Sequence, residues 1–240
     1  LDQVSSASKK LNLLLNDVLE LIDLDMRSVE LKSEIFSPKN VLQVLSDKYQ
    51  NKAKNNDILF EELIDEDLNG HYIGDQSRFY QLLDYLLSNS FTSTEQGHIS
   101  LTVNLDAGHS LSGQYQRINI QIEDTGIKPT ALEIETLFES SSMPKFQASR
   151  KAGSEGVHLS IIKSLVTLMK GKIEATHSGS NVMKYNLHIY LESSNSGGEA
   201  VPIEGLTNEV SNNHLVEIPS LNILIVEDSS VNAFLLKWIL

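Results

Sequence analysis

The chain has 240 residues, of which 40% are hydrophobic and 21% are charged, and its formal net charge is −13. This apolar content is enough for a folded core and excludes wholesale disorder, and the length predicts one large domain with additional pieces, or two domains. The acidic balance disfavours nucleic acid as a partner, because binding to a phosphate backbone requires clustered Lys and Arg. The absence of cysteine excludes disulfides, thiol catalysis and cysteine-ligated zinc. No apolar run approaches the roughly 20 residues of a membrane span, so we expect no membrane contact by this chain.

The first segment of the chain has an apolar repeat with alternating spacings of three and four residues. This pattern predicts one helix of a coiled coil or an antiparallel bundle, with a partner helix or a dimer mate covering the apolar seam. The alternative is a helix that packs on its own domain. We expect both ends of the chain to be cut from a longer protein. The seam consists of Val4, Ala7, Leu11, Leu14, Val18 and Leu21.

The middle of the chain mixes helical and strand patterns. Pro38 predicts a capped helix start, and helical periods follow over 75–91 and 159–169. Residues 58–64, 99–105, 118–122 and 185–191 have strand patterns, and we expect 106–117 to form a polar hairpin loop. This order predicts an α+β fold, a two-layer α/β sandwich whose mixed, mostly antiparallel sheet is covered by helices on one face.

The end of the chain changes in composition. Residues 194–220 are rich in Ser, Asn, Gly, Glu and Pro, which predicts a solvated linker. The apolar run Leu221–Val226 then precedes Glu227 and Asp228 and an apolar helix start. This is the pattern of the first strand of a parallel α/β domain, and 20 residues are too few to complete its core.

The first motif is Gly74-Asp75-x-x-Arg78-x-x-Gln81, which leads into a helix that contains Asn89. At about 100° per residue, Asn89 shares one side of this helix with Arg78 and Tyr85, beside the apolar stripe. An amide oxygen is a suitable ligand for a hard cation such as Mg²⁺. The alternative is an ordinary asparagine on the surface of a helix.

Two further motifs contain glycine. Asp124 and Gly126 follow a predicted strand, where a carboxylate accepts from an exocyclic amine and the glycine allows a ligand to approach the backbone. The same sequence is also common in turns. Gly153 and Gly156 precede a helix, whose N-terminus binds phosphate through free N–H groups. A simple loop-to-helix cap is the alternative there.

In this order and spacing, the motifs resemble the catalytic and ATP-binding region of hybrid sensor histidine kinases, in the ATPase superfamily shared with type II topoisomerases and MutL-type repair proteins. The resemblance implies four segments: 1–30, the second helix of a dimerisation and phosphotransfer hairpin; 31–193, the ATP-binding domain; 194–220, a linker; and 221–240, the start of a receiver domain. Glu227 and Asp228 would be the acidic pair of that receiver.

The resemblance also implies roles for individual residues. Asn89 would coordinate Mg²⁺, Asp124 would bind adenine, and ATP and Mg²⁺ would be the cofactors. The other nucleotide-binding positions would be Tyr85, Thr92, Gly126, Gly153 and Gly156. The enzyme would be a histidine protein kinase, with its phosphoacceptor histidine upstream of Leu1.

The partners implied by the resemblance are other signalling proteins. A homodimer would form through the hairpin helix, and a receiver or phosphotransfer protein would act downstream. The expected location is the cytoplasm, and anchoring of the longer protein in the inner membrane is left open.

Several positions depart from the family pattern. Tyr85 stands where an asparagine is usual, Thr92 replaces a phosphate-binding lysine, and Lys128 replaces a glycine. Ser154 and His158 also replace glycines, and Glu155 replaces a small residue. A side chain where a positive φ is needed is costly. The alternative function is therefore a degenerate domain of the same fold that acts as a signalling scaffold or a weak nucleotide-binding module.

Overall fold

A computed structural model describes residues 15–17, 19–24, 30–111, 114–126, 134, 137–138, 155–178 and 182–194. These residues all belong to one compact unit, Leu1–Leu206. The predicted linker after residue 194 and the predicted receiver start at 221–240 lie outside the described residues. So do Lys128, Gly153 and Ser154.

Seven strands of the described chain form one sheet in the order β1-β3-β7-β5-β4-β2, with β6 paired to β7. The β2–β4 pair is parallel and the other pairs are antiparallel. The fold therefore confirms the predicted mixed, mostly antiparallel sheet. The strands are β1 Glu34–Phe36, β2 Ile58–Ile64, β3 Tyr72–Gly74, β4 Gly97–Leu111, β5 Tyr115–Asp124, β6 Lys172–Ser178 and β7 Val182–Ser193.

Three helices cover one face of the sheet: α1 Pro38–Asn55, α2 Gln76–Ser93 and α3 Glu155–Leu168. A short 3-10 helix spans Glu66–Asn69. Side-chain caps explain where α1 and α2 begin. The Ser37 hydroxyl accepts from the N–H of Asn40 ahead of Pro38, and the Asp75 carboxylate accepts from the N–H of Arg78 at 3.0 Å. None of the described helices is long and apolar enough to cross a membrane.

The core lies between the helices and the sheet. Strand residues alternate between this core and the uncovered face, so Ile118, Ile120 and Ile122 are buried while the residues between them are partly exposed. The helical residues 15–17 and 19–24, called here the N-terminal helical segment, also contribute to the core. Leu21 and Leu24 are buried in it, whereas Leu15, Leu19 and Ile22 are about half exposed.

The prediction of a loop over residues 106–117 is wrong. Strand β4 continues to Leu111, strand β5 starts at Tyr115, and Asp106 pairs with Arg117 before an irregularity in the register. Strand pairing satisfies the backbone hydrogen bonds here without an apolar side chain at every second position. The polar composition therefore gave no strand signal. Strands β1 and β3 were also missed, since three residues are too few to show a period.

Candidate functional site

Asn89 lies on α2 and is only 2% exposed. Among the described residues, neither its side-chain oxygen nor its side-chain nitrogen has a hydrogen-bond partner. The prediction that Asn89 lies beside the core stripe underestimated its burial, and the surface alternative is wrong. A buried amide without partners costs about 1–3 kcal/mol, so such a group in a folded protein requires an explanation. A ligand that binds the amide supplies one.

Asp124 is the last residue of β5 and is 1% exposed. The hydroxyl of Ser90 donates to one carboxylate oxygen at 2.8 Å, and the N–H of Gly126 donates to the other at 3.1 Å. These two donors fix the orientation of the carboxylate. Ser90 is the residue after Asn89 on α2, so this hydrogen bond holds the part of α2 that contains Asn89 against the end of β5. Sequence reasoning missed Ser90, because a serine inside a helix shows no preference for a distant carboxylate.

Gly126 lies where the chain leaves β5 and passes close to α2. A Cβ atom at this position would be 2.5 Å from the carbonyl oxygen of Ser93, which is shorter than any real contact. Glycine is therefore required here by the close approach of two backbones. Gly126 donates to Asp124, whose other carboxylate oxygen accepts from Ser90, the residue that follows Asn89.

Tyr85 lies one turn before Asn89 on α2 and is 9% exposed. Its ring stacks on the imidazole of His158 in α3, with 4.3 Å between centroids and 7° between planes. The carboxylate of Asp17, in the N-terminal helical segment, binds both residues: it is 3.2 Å from the Tyr85 hydroxyl and 3.0 Å from Nε2 of His158. Burial, with Glu20 and Asp17 nearby, raises the pKa of Tyr85 far above its ordinary value.

Glu20 adds a second connection between the same elements. Its carboxylate accepts from the guanidinium of Arg78 and from the side-chain amide of Gln81 on α2. Neither Asp17 nor Glu20 belongs to the predicted seam, and no sequence motif gives either residue a role. The two carboxylates in fact fasten the N-terminal helical segment to α2 and α3, at the end of α2 that holds Tyr85.

The other predicted site residues are not all brought together. Thr92 is exposed, and its hydroxyl donates to the Ser88 carbonyl at 2.7 Å, as threonines on helices often do. Gly156 lies in the first turn of α3. Gly153, Glu227 and Asp228 fall outside the described residues.

The chemistry of the side chains indicates which metal they fit. The described residues contain no group of three or more His, Asp or Glu side chains that holds a metal. Mg²⁺ does not need one, because it is commonly held by one or two protein oxygens together with substrate phosphates and water. The amide oxygen of Asn89 fits that requirement.

Helix and sheet thus enclose a buried amide and an oriented carboxylate in a two-layer sandwich. The family described as histidine kinase-, DNA gyrase B-, and HSP90-like ATPase matches residues 74–201, more than half of the chain. The chain therefore belongs to this family, and it contains the family's ATP-binding catalytic domain.

Individual relatives agree with this assignment. The autoinducer 2 sensor kinase/phosphatase LuxQ of Vibrio vulnificus (strain YJ016) is 25% identical over 98% of the chain and 27% of its own length. The signal transduction histidine-protein kinase BarA of Escherichia coli (strain K12) is 27% identical over 80% of the chain and 21% of its own length. The chain thus spans about a quarter of the length of these relatives.

Solved structures show the same fold. Full-length ShkA, in complex with AMPPNP, superimposes with a TM-score of 0.64 at 20% identity, covering 78% of this chain and 37% of that one. At this level of identity the likeness is one of fold, and it confirms the predicted two-layer sandwich.

Proposed function

We propose that the chain is the catalytic region of a hybrid sensor histidine kinase, which binds Mg-ATP and positions its terminal phosphoryl group for transfer to a histidine outside the chain. The observation that carries the proposal is the buried amide of Asn89, which has no side-chain partner among the described residues, one position before the serine that donates to Asp124. Membership of the ATPase family supports nucleotide as the ligand, and the names of LuxQ and BarA support kinase chemistry.

Asn89 and Asp124 would contact different parts of the ligand. Asn89 would hold Mg²⁺ through its amide oxygen, which gives the orphaned group a partner. When bound, ATP would supply the phosphoryl group, and Mg²⁺ would neutralise the charge that develops on that group during transfer. The chain itself contributes binding, orientation and the exclusion of water from a buried site.

Asp124 would recognise the base. Ser90 and the Gly126 N–H fix the orientation of its carboxylate, which would present its oxygens as acceptors to the exocyclic amine of adenine. A guanine presents a carbonyl at the corresponding position, which would place two acceptors face to face. The site is therefore expected to prefer adenine over guanine.

The proposal extends to partners and location. A sensor kinase needs a receiver or phosphotransfer protein to accept its phosphoryl group, and we propose such a partner together with homodimerisation through the helix at the start of the chain. Leu21 of the predicted seam is buried in the domain core, and the exposed apolar residues Leu15, Leu19 and Ile22 each lie one position after a seam residue, at the same spacing of four and three. The corresponding location is the cytoplasm.

The experiment is calorimetric titration of the chain with AMPPNP, with and without Mg²⁺. We expect micromolar binding that depends on Mg²⁺, and loss of that dependence in Asn89→Ala. Asp124→Asn should weaken binding of the nucleotide with or without the metal. Asn40→Ala is the matched control, because Asn40 is an exposed asparagine on α1. Absence of binding by a folded sample would contradict the proposal. It would favour the alternative of a signalling scaffold, which the relatives do not favour.

A further inference from the structure

The uncovered face of the sheet contains a polar groove of about 440 Å³. Strand register places its side chains in rows, because residues paired across neighbouring strands face the same side. One row consists of Asn104, Asn119, His188 and Lys172, on β4, β5, β7 and β6. Helices α1 to α3, and with them the nucleotide site, lie on the opposite face. The proposed kinase function therefore leaves this groove unexplained.

Arg117 lies on β5 in the neighbouring row, between Asp106 of β4 and Tyr190 of β7. Its Nε donates to the side-chain oxygen of Asn119 at 2.9 Å, and one terminal nitrogen donates to Nδ1 of His188 at 3.3 Å. No carboxylate among the described residues forms an ion pair with this guanidinium. Arginine has five N–H donors in a fixed plane, so donors remain for a ligand after these two bonds.

His188 is held in a defined state by its neighbours. Because a guanidinium only donates, Nδ1 must accept from Arg117, and the neutral ring carries its proton on Nε2. Partial burial and the nearby charges of Arg117 and Lys172 lower the pKa of His188, while Glu174 acts weakly in the opposite direction. The remaining neighbour is the Tyr190 ring, edge-on at 5.8 Å. Two carboxylates flank these cations: Glu174 pairs with Lys172, and Asp106 accepts from the side-chain amide of Asn119 at 3.5 Å.

Lys172 completes the cationic set. It forms an ion pair with Glu174 at 2.5 Å, but both side chains are more than half exposed. Exposed pairs contribute about 0–1 kcal/mol, so a ligand anion can compete for Lys172 at little cost. By contrast, Lys184 on the same face is paired with Glu123 and does not line the groove.

We propose that this groove binds a small anion that carries carboxylate or phosphate groups. Arg117 would form the main charge-assisted hydrogen bonds, Nε2–H of His188 would donate beside them, and Lys172 would turn from Glu174 to the ligand. The side-chain amides of Asn104, Asn119 and Asn186 would orient its polar groups. The volume of the groove is within the range of small-molecule sites.

The test uses the pKa of His188 as its reporter. The full chain is titrated by NMR, and the His188 signal is identified as the one lost in His188→Gln. Citrate, inorganic phosphate and sodium chloride are compared at one ionic strength. A bound anion favours the protonated ring, so citrate or phosphate should raise the pKa of His188 by about half a unit or more relative to chloride. Since binding then takes up protons, affinity should fall as pH rises through that range.

Matched variants decide the outcome. Arg117→Gln should abolish the rise, and Lys172→Gln, a change at an exposed position, should reduce it without affecting the fold. Lys184→Gln removes a cation from the same face and should change nothing. An equal rise in chloride, an equal rise in Arg117→Gln, or a rise produced by poly-glutamate and by neither small anion would overturn the proposal.

Discussion

The rings of Tyr85 and His158 stack face to face, with 4.3 Å between their centroids, and join helix α2 to helix α3. Both residues depart from the pattern that the sequence resembles: an asparagine is usual at the first position and a glycine at the second. The structure shows that the two departures form one contact. An aromatic ring at either position alone would lack its partner, so the two changes are best understood as a pair.

The first prediction is that these two residues are energetically coupled. Tyr85→Asn and His158→Gly should each lower the free energy of unfolding, and the double variant should lose less than the sum of the two. Stacked aromatic pairs contribute about 0.5–1.5 kcal/mol beyond buried area, which sets the expected coupling energy. Urea unfolding of the four proteins measures it. Strict additivity would mean that the stack contributes no net stability.

The second prediction concerns Asp17, which contacts both rings. Asp17→Asn keeps the shape of the side chain but removes its charge, so the hydrogen bonds to Tyr85 and His158 weaken. Hydrogen bonds to charged groups contribute about 1.5–3 kcal/mol, so amide exchange in the N-terminal helical segment should accelerate roughly tenfold or more. Hydrogen–deuterium exchange with mass spectrometry measures this.

A control for this prediction lies in the same segment. Asn16 is an exposed polar residue of the same helix, so Asn16→Gln should leave exchange in the segment nearly unchanged. Equal acceleration in the two variants would show that any polar change in this helix has the effect and that the contact of Asp17 with α2 and α3 is not responsible.

Much of the fold was predictable, because its signals are local. The caps at Ser37 and Asp75 set where α1 and α2 begin, and apolar alternation marks the central part of β5. The hairpin over residues 106–117 was not predictable, since its strands are polar and their pairing is a tertiary property. Three-residue strands such as β1 show no period at all.

The candidate site was predictable where a residue type carries its own chemistry. Asn89, Asp124 and Gly126 were identified from spacing and from the family they resemble. Ser90 and Asp17 were not, because their roles come from residues 34 and 141 positions away in the chain. A motif of fixed spacing covers only residues that are close in the sequence. These contacts join residues that are far apart in the sequence, and they form only when α2 packs against β5 and α3.

The third prediction tests the close approach at the end of β5. Gly126→Ala places a methyl group 2.5 Å from the Ser93 carbonyl oxygen, so the strand end or the helix must shift. Overpacking of this kind costs about 1–3 kcal/mol, and the displacement should also weaken nucleotide binding, because Gly126 donates to Asp124. Thermal unfolding and AMPPNP titration measure the two effects.

Gly70 provides the matched control for that substitution. A Cβ atom there would lie 3.4 Å from the Tyr72 ring, an ordinary contact, and the φ of Gly70 is −70°. Gly70→Ala should therefore be neutral or slightly stabilising. If Gly126→Ala were equally well tolerated, the backbone approach between β5 and α2 would be looser than the structure indicates.

The last prediction separates stability from function at Asn89. The amide of Asn89 is buried without a hydrogen-bond partner among the described residues, which destabilises the nucleotide-free protein, and an apolar side chain of similar volume does not have this cost. Asn89→Leu should therefore raise the free energy of unfolding by about 1 kcal/mol without nucleotide, while Mg²⁺-dependent AMPPNP binding is lost. Asn56→Leu, at the exposed end of α1, should give no such gain.

A variant that is more stable but no longer binds is the result expected of a ligand site, because the ligand supplies in the complex the partners that the amide lacks in the free protein. Destabilisation by Asn89→Leu would instead mean that the amide already has a structural partner, and the main support for a metal ligand at this position would be removed.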